Sequence, residues 1–89
     1  MTPPPETPVF NCIVNVAPAS EGGPVIARVA NLAGIEGRGR TEREALAQVV
    51  AAFKAVVAKY HAAGETIPWL VETLPPATGE VQRLIAVHL

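Results

Sequence analysis

The sequence predicts one small α+β domain with the element order β-β-β-α-β. Segments with apolar residues at every second position precede a long segment with apolar residues at every third or fourth position. A further period-two segment ends the chain. The expected architecture is an antiparallel three-stranded sheet plus a C-terminal strand, with one long helix packed on one sheet face. With 89 residues the core is thin, so self-association or a partner would stabilise it.

The first two strands are predicted as an antiparallel hairpin. Residues 1–8 are a Pro-rich arm that we expect to be disordered or extended. Residues 9–89 form the single domain, and its first strand is Val9–Val16. Residues of one mostly buried face alternate along this strand: Phe10, Cys12, Val14 and Val16. A turn rich in proline and glycine connects it to Val25–Ala30, and so short a connection favours antiparallel pairing.

The third predicted strand, Ile35–Arg40, has glycine at alternate positions. Gly37 and Gly39 would let a helix or another backbone come close to that face. The opposite face carries charged side chains that we expect to contact water or a partner: Glu36, Arg38 and Arg40.

The helix Glu42–Ala63 is predicted from its ends and from its apolar stripe. Thr41 and Glu44 form a capping box, in which each side chain accepts the backbone N–H of the other residue. Gly64 stands where a helix-terminating glycine is expected. The apolar residues repeat at three and four: Leu46, Val49, Val50, Phe53, Val56, Val57 and Tyr60.

Residues 65–80 show no regular pattern, and Val81–Leu89 is predicted as the last strand. Apolar residues on both of its faces indicate a central or partner-covered strand. The sheet face away from the helix has little in the chain to cover it.

Composition and motifs argue against several classes of function. A net charge of −1 makes a strongly basic nucleic-acid binder improbable on electrostatic grounds, and no segment approaches the length of a membrane span. The start of the chain lacks the features of a signal peptide, and the single cysteine, Cys12, fits a reducing compartment such as the cytoplasm. We expect no metal, no cofactor and no catalytic residues, because no nucleophile–base pair, carboxylate cluster or phosphate loop is evident.

The candidate partner-binding residues lie in three segments. The cluster around Arg38 and Arg40 is either a solvated face or a contact to an acidic partner or phosphate. Trp69 is either a plug against the core or an interface anchor. The last strand contributes three further candidates: Leu84, Ala86 and His88.

The run Leu32–Leu46 resembles the HicB-like antitoxin family. The run contains a glycine turn at Gly34, then Thr41, then the triplet Glu44-Ala-Leu. After the helix comes the pair Ile67-Pro68, as in that family. The resemblance covers roughly Phe10–Trp69 and implies a partial RNase H-like fold that binds and blocks a small toxin ribonuclease. Members usually add a C-terminal DNA-binding domain; this sequence shows none, so no direct DNA binding is expected.

Three hypotheses follow from the sequence. The first is a non-enzymatic interaction module that meets a toxin-like partner or a second copy through a sheet face or edge. The second is an orphan scaffold of the same fold, a homo-oligomer (dimer or larger) without a toxin. The third is a minimal metal-dependent nuclease that uses glutamates, with Glu36 as the residue to test.

Overall fold

The computed structural model describes residues 8–19 and 21–89 and has the predicted α+β fold. Its elements are, in chain order, β1 (Val9–Ala17), β2 (Val25–Val29), β3 (Glu36–Gly39), α1 (Glu42–Ala63) and β4 (Val81–His88). All neighbouring strands are antiparallel, and they form one sheet in the order β3-β2-β1-β4. The predicted Pro-rich arm lies outside the described residues except for Pro8.

The core lies between α1 and one face of the sheet. Alternate residues of β1 and β2 point toward the helix, which contributes Ala45, Val49, Phe53 and Val57. The remaining buried members come from the strands and the β2–β3 connection: Cys12, Val14, Val16, Val25, Ala27, Val29, Leu32, Ile35 and Val87. The face of β1 that its period-two pattern predicts to be buried is the face that packs against the helix, so this prediction is confirmed.

The helix begins and ends at the predicted residues. The Thr41 hydroxyl oxygen accepts the Glu44 N–H at 3.2 Å, as expected. The predicted return bond to Thr41 is wrong: the Glu44 carboxylate accepts the N–H of Arg40 at 2.8 Å, because that amide points outward from the end of β3 beside the helix. Gly64 has φ +68°, and the Glu65 N–H donates to the Tyr60 carbonyl oxygen.

The two glycines of β3 bring the helix backbone close to the sheet. A Cβ at Gly37 would lie 2.6 Å from the Val49 backbone nitrogen and 2.7 Å from the Ala45 carbonyl oxygen. A Cβ at Gly39 would lie 2.6 Å from the Ala45 backbone nitrogen. The expected close approach on this face is confirmed.

The prediction of a central position for β4 is wrong, because β4 is an edge strand. Among the described residues it pairs with β1 alone, from Val9 opposite His88 to Val16 opposite Val81. Apolar residues occur on both of its faces, yet Leu84 is 69% exposed. Sheet order is a long-range property, and the apolar content of one strand does not determine it.

The sheet face opposite α1, called here the helix-free face, is partly covered by the chain itself, contrary to expectation. Asn15 lies on this face but is only 6% exposed. Its side-chain N–H donates to the Leu74 carbonyl oxygen at 3.0 Å, and its side-chain oxygen accepts from the Gln82 amide at 3.1 Å. The Leu74 N–H in turn donates to the Ala30 carbonyl oxygen. These bonds fix the α1–β4 connection against the helix-free face.

Candidate interaction site

Arg38 and Arg40 lie at the β3 edge of the sheet. The Arg38 guanidinium pairs with Glu36 at 3.1 Å, and Arg28 pairs with the same carboxylate at 3.2 Å. Hydrogen bonds first from Arg38 and then from Arg28 lower the pKa of the Glu36 carboxyl group. The Arg40 side chain is exposed, with no ion pair in the described part of the chain. The Glu36 carboxylate thus neutralises one of the two positive charges of Arg28 and Arg38.

Leu84, Ala86 and His88 lie on the helix-free face of β4, and all three are exposed. Their positions alternate with Arg83, whose side chain points to the other face and pairs with Glu42 at 2.7 Å. That hydrogen bond raises the pKa of the Arg83 side chain. Because Arg83 is paired on the opposite face, the helix-free face of β4 carries no lysine, arginine or carboxylate.

Trp69 packs against the core rather than standing free. Its ring centroid lies 6.2 Å from that of Phe10 and 6.0 Å from that of Phe53. The side chain nevertheless remains 39% exposed, so that one part of the ring closes the core and another part faces outward.

The sequence-predicted candidates therefore do not form one site. Arg38 and Arg40 belong to one edge of the sheet, whereas Leu84, Ala86 and His88 belong to the other. Three strand spacings, about 14 Å in total, separate β3 from β4. Trp69 lies near the C-terminal half of the helix, against Phe53. A partner would contact these groups through different surfaces.

The two sheet edges differ in whether their outward backbone groups are hydrogen-bonded, a difference that was not predicted from the sequence. At β3, the outward N–H of Arg38 donates to the Gln48 side-chain oxygen at 3.0 Å, and that of Arg40 to Glu44. Gln48 and Glu44 are one helical turn apart, a spacing that could have indicated this role. Helix side chains thus cap two amides of the β3 edge, whereas no described residue pairs with the outer edge of β4.

The α1–β4 connection, residues 64–80, combines acidic and apolar side chains and is called here the acidic segment. Between Lys59 and Arg83 the sequence has three glutamates, Glu65, Glu72 and Glu80, and neither lysine nor arginine. Within the segment Val71 is 102% and Leu74 52% exposed. Charge is therefore segregated, with an arginine-rich β3 side and an acidic connection.

The described residues contain no group of three or more His, Cys, Asp or Glu side chains placed to hold a metal ion. Within residues 8–19 and 21–89, no helix is both long and apolar enough to cross a membrane. Glu36, the residue named for the nuclease hypothesis, is held by two arginines.

Cys12 is buried in the core and unpaired. Burial raises the pKa of its thiol from 9.0 to about 11. The unfolded thiol ionises first as the pH rises, so this contribution to stability is full below pH 9 and is lost between pH 9 and 11. We expect the free energy of unfolding to fall by about 2 kcal/mol more in the native chain than in Cys12→Ala between about pH 8 and pH 10.5.

Urea unfolding at the two pH values measures this difference. The rest of the chain is common to both proteins, so its own pH dependence cancels in the comparison. An equal pH dependence of the two proteins would contradict the buried-thiol interpretation.

No protein-family model, no curated protein and no solved structure matches this chain. The fold and the surfaces above define it as a small α+β domain in which, over the part of the chain that the structure describes, one sheet edge is partly capped and the other is open.

Proposed function

We propose that this chain is a non-enzymatic protein-interaction module, of the type of a HicB-like antitoxin, that binds and neutralises a small toxin ribonuclease in the cytoplasm. The proposal rests on the resemblance of Leu32–Leu46 to that family and on one structural observation. That observation is the acidic segment, which presents exposed apolar side chains among negative charges only.

A ribonuclease binds a polyanion, so its RNA-binding surface is basic. The acidic segment offers the complementary charge through Glu65, Glu72 and Glu80, and Val71 and Leu74 offer apolar area beside it. Complementary charge accelerates association and selects the partner, whereas the apolar contacts contribute affinity. A module that covers the basic surface of a ribonuclease would exclude RNA from it.

The acidic segment is held in place before a partner arrives. The Leu70 N–H donates to the Asn31 carbonyl oxygen, and Leu74 is bonded through both its N–H and its carbonyl group. Asn31 itself is fixed, since its side chain bonds Ile13 and Asn11 of β1. Binding by an ordered segment loses less conformational entropy than binding by a mobile one.

The second candidate function is a homo-oligomeric scaffold without a toxin. The open edge of β4 favours it, because an unpaired strand can add a strand from another molecule.

The test is co-expression of this chain with the product of the small open reading frame beside its gene. We expect a small basic protein to be retained by the tagged chain and its growth inhibition to be relieved. Glu72→Lys should weaken the binding by about tenfold, because it places a positive charge where the basic partner docks. Titration calorimetry at two salt concentrations measures the effect.

The matched control is Glu21→Lys, which makes the same charge change in the exposed β1–β2 turn. Binding by Glu21→Lys should stay within about twofold of the native chain. An adjacent product that is neither retained nor neutralised would count against the toxin-binding function. Cleavage of RNA by the purified chain with Mg²⁺ or Mn²⁺, abolished in Glu36→Gln, would replace it by the nuclease hypothesis.

A further inference from the structure

We propose that β4 is a homodimerisation strand, which pairs antiparallel with β4 of a second copy and joins the two sheets into one of eight strands. The inference rests on the homo-oligomeric alternative above and does not require a toxin. It adds the surface, the partner strand and the register.

The backbone groups of β4 alternate in direction. The Leu89 N–H donates to the Pro8 carbonyl oxygen, and Val87 and Ile85 lie opposite Phe10 and Cys12 of β1. Odd-numbered residues of β4 therefore direct their N–H and C=O groups toward β1. The even-numbered residues direct theirs away from the sheet: Gln82, Leu84, Ala86 and His88.

Nothing in the described structure protects this edge. Edge strands are usually short, charged, bulged or interrupted by proline. β3 follows this rule, with four residues, two charged side chains and amides capped by Gln48 and Glu44. In contrast, β4 has eight residues that pair without a bulge, contains no proline, and carries its one arginine in an ion pair with Glu42.

The composition of β4 suits pairing with itself. A two-fold axis perpendicular to the sheet at Ile85 sets Leu84 opposite Ala86 of the second copy and Gln82 opposite His88. Arg83 then lies opposite Val87, so that no like charges face each other. An axis at Arg83 would place the two arginines opposite each other. The Ile85 register also pairs the whole strand, from Val81 to Leu89.

A second copy explains this edge better than the other occupants do. A charged partner strand would find little complementary charge on β4. Its ionisable residues are Arg83, which is already paired with Glu42, and His88. The N-terminal residues of the same chain are poor edge partners because Pro3, Pro4 and Pro5 lack the N–H that a ladder requires. The thin core of so short a chain adds a reason to bury Leu84 and Val81 further.

Sedimentation equilibrium of the full chain tests the proposal. We expect twice the monomer mass of 9.3 kDa at micromolar concentration. Leu84→Lys should weaken the dimer by about tenfold or more, because each copy then brings a charge to the shared edge. Ala51→Lys, which puts the same charge on an exposed residue of α1, should leave it unchanged.

Cysteine pairs test the register. An oxidised mixture of Leu84→Cys and Ala86→Cys should form a mixed disulfide faster than either variant links to itself, because residues 84 and 86 face each other across the axis. Circular dichroism confirms that the variants fold. Ala86→Pro, which removes an outward N–H without breaking a bond to β1, repeats the test if Leu84→Lys does not fold.

A monomer throughout the micromolar range overturns the proposal, and so does a dimer that Leu84→Lys leaves intact. The two proposals fail separately, since toxin capture can be measured with the monomeric Leu84→Lys variant. A toxin that binds this variant while the native chain is monomeric would support the antitoxin function alone.

Discussion

Replacement of Gly37 by alanine is expected to lower the free energy of unfolding by about 3 kcal/mol, a large part of the stability of so small a domain. The added methyl group would lie 2.6 and 2.7 Å from backbone atoms of Val49 and Ala45. Backbone atoms of a helix are held by its hydrogen bonds and cannot move aside as a side-chain end can. The helix must therefore separate from β3, with loss of the packing around Val49 and Ala45, both fully buried.

Urea denaturation monitored by circular dichroism measures the effect. Gly79→Ala is the matched control: it adds the same methyl group where no atom lies within 4 Å, at a φ of +86° that costs about 1 kcal/mol. Gly37 does not have a positive φ, so the stability lost in Gly37→Ala measures the contact with the helix rather than backbone strain. If Gly37→Ala were as stable as the native chain, the close approach of α1 to β3 would be wrong.

Replacement of Phe53 by alanine is expected to lower the free energy of unfolding by about 3–5 kcal/mol. Phe53 is fully buried in the middle of α1 and is the largest of the fully buried side chains. Its ring also supports Trp69 at 6.0 Å, so the cavity would loosen the tryptophan as well.

Trp69 is the single tryptophan of the chain, so its fluorescence reports on this contact directly. We expect a red-shifted emission in folded Phe53→Ala, together with a lower urea midpoint. Val71→Ala serves as the control, because it shortens a fully exposed side chain and should change stability by less than about 0.5 kcal/mol. An unchanged emission in Phe53→Ala would contradict the described packing of Trp69.

Local signals in the sequence predict the elements of this fold well. The bounds of α1 are correct because both of its ends are set by neighbouring residues: the Thr41 hydroxyl bonds Glu44, and Gly64 adopts the left-handed conformation. The glycine alternation of β3 correctly indicates a closely packed face, since only the absence of Cβ atoms lets the helix reach it. Each of these inferences needs no knowledge of distant parts of the chain.

Long-range relations could not be predicted in the same way. The edge position of β4 depends on where residues 64–80 lead the chain, and those residues have no periodicity. Asn15 offered one signal, a polar side chain between the buried Val14 and Val16, but its partners Leu74 and Gln82 are 59 and 67 residues away in the sequence. The dispersal of the candidate site over two edges is equally a property of strand order.

The capped edge of β3 limits how far strand addition can proceed. If two copies join through β4, both outer borders of the combined sheet are β3 strands, whose amides at Arg38 and Arg40 are already bonded to helix side chains. Of the outward amides in the described part of that border, only the one of Glu36 is left for a third molecule. We therefore expect strand addition to stop at a pair rather than to continue into fibres.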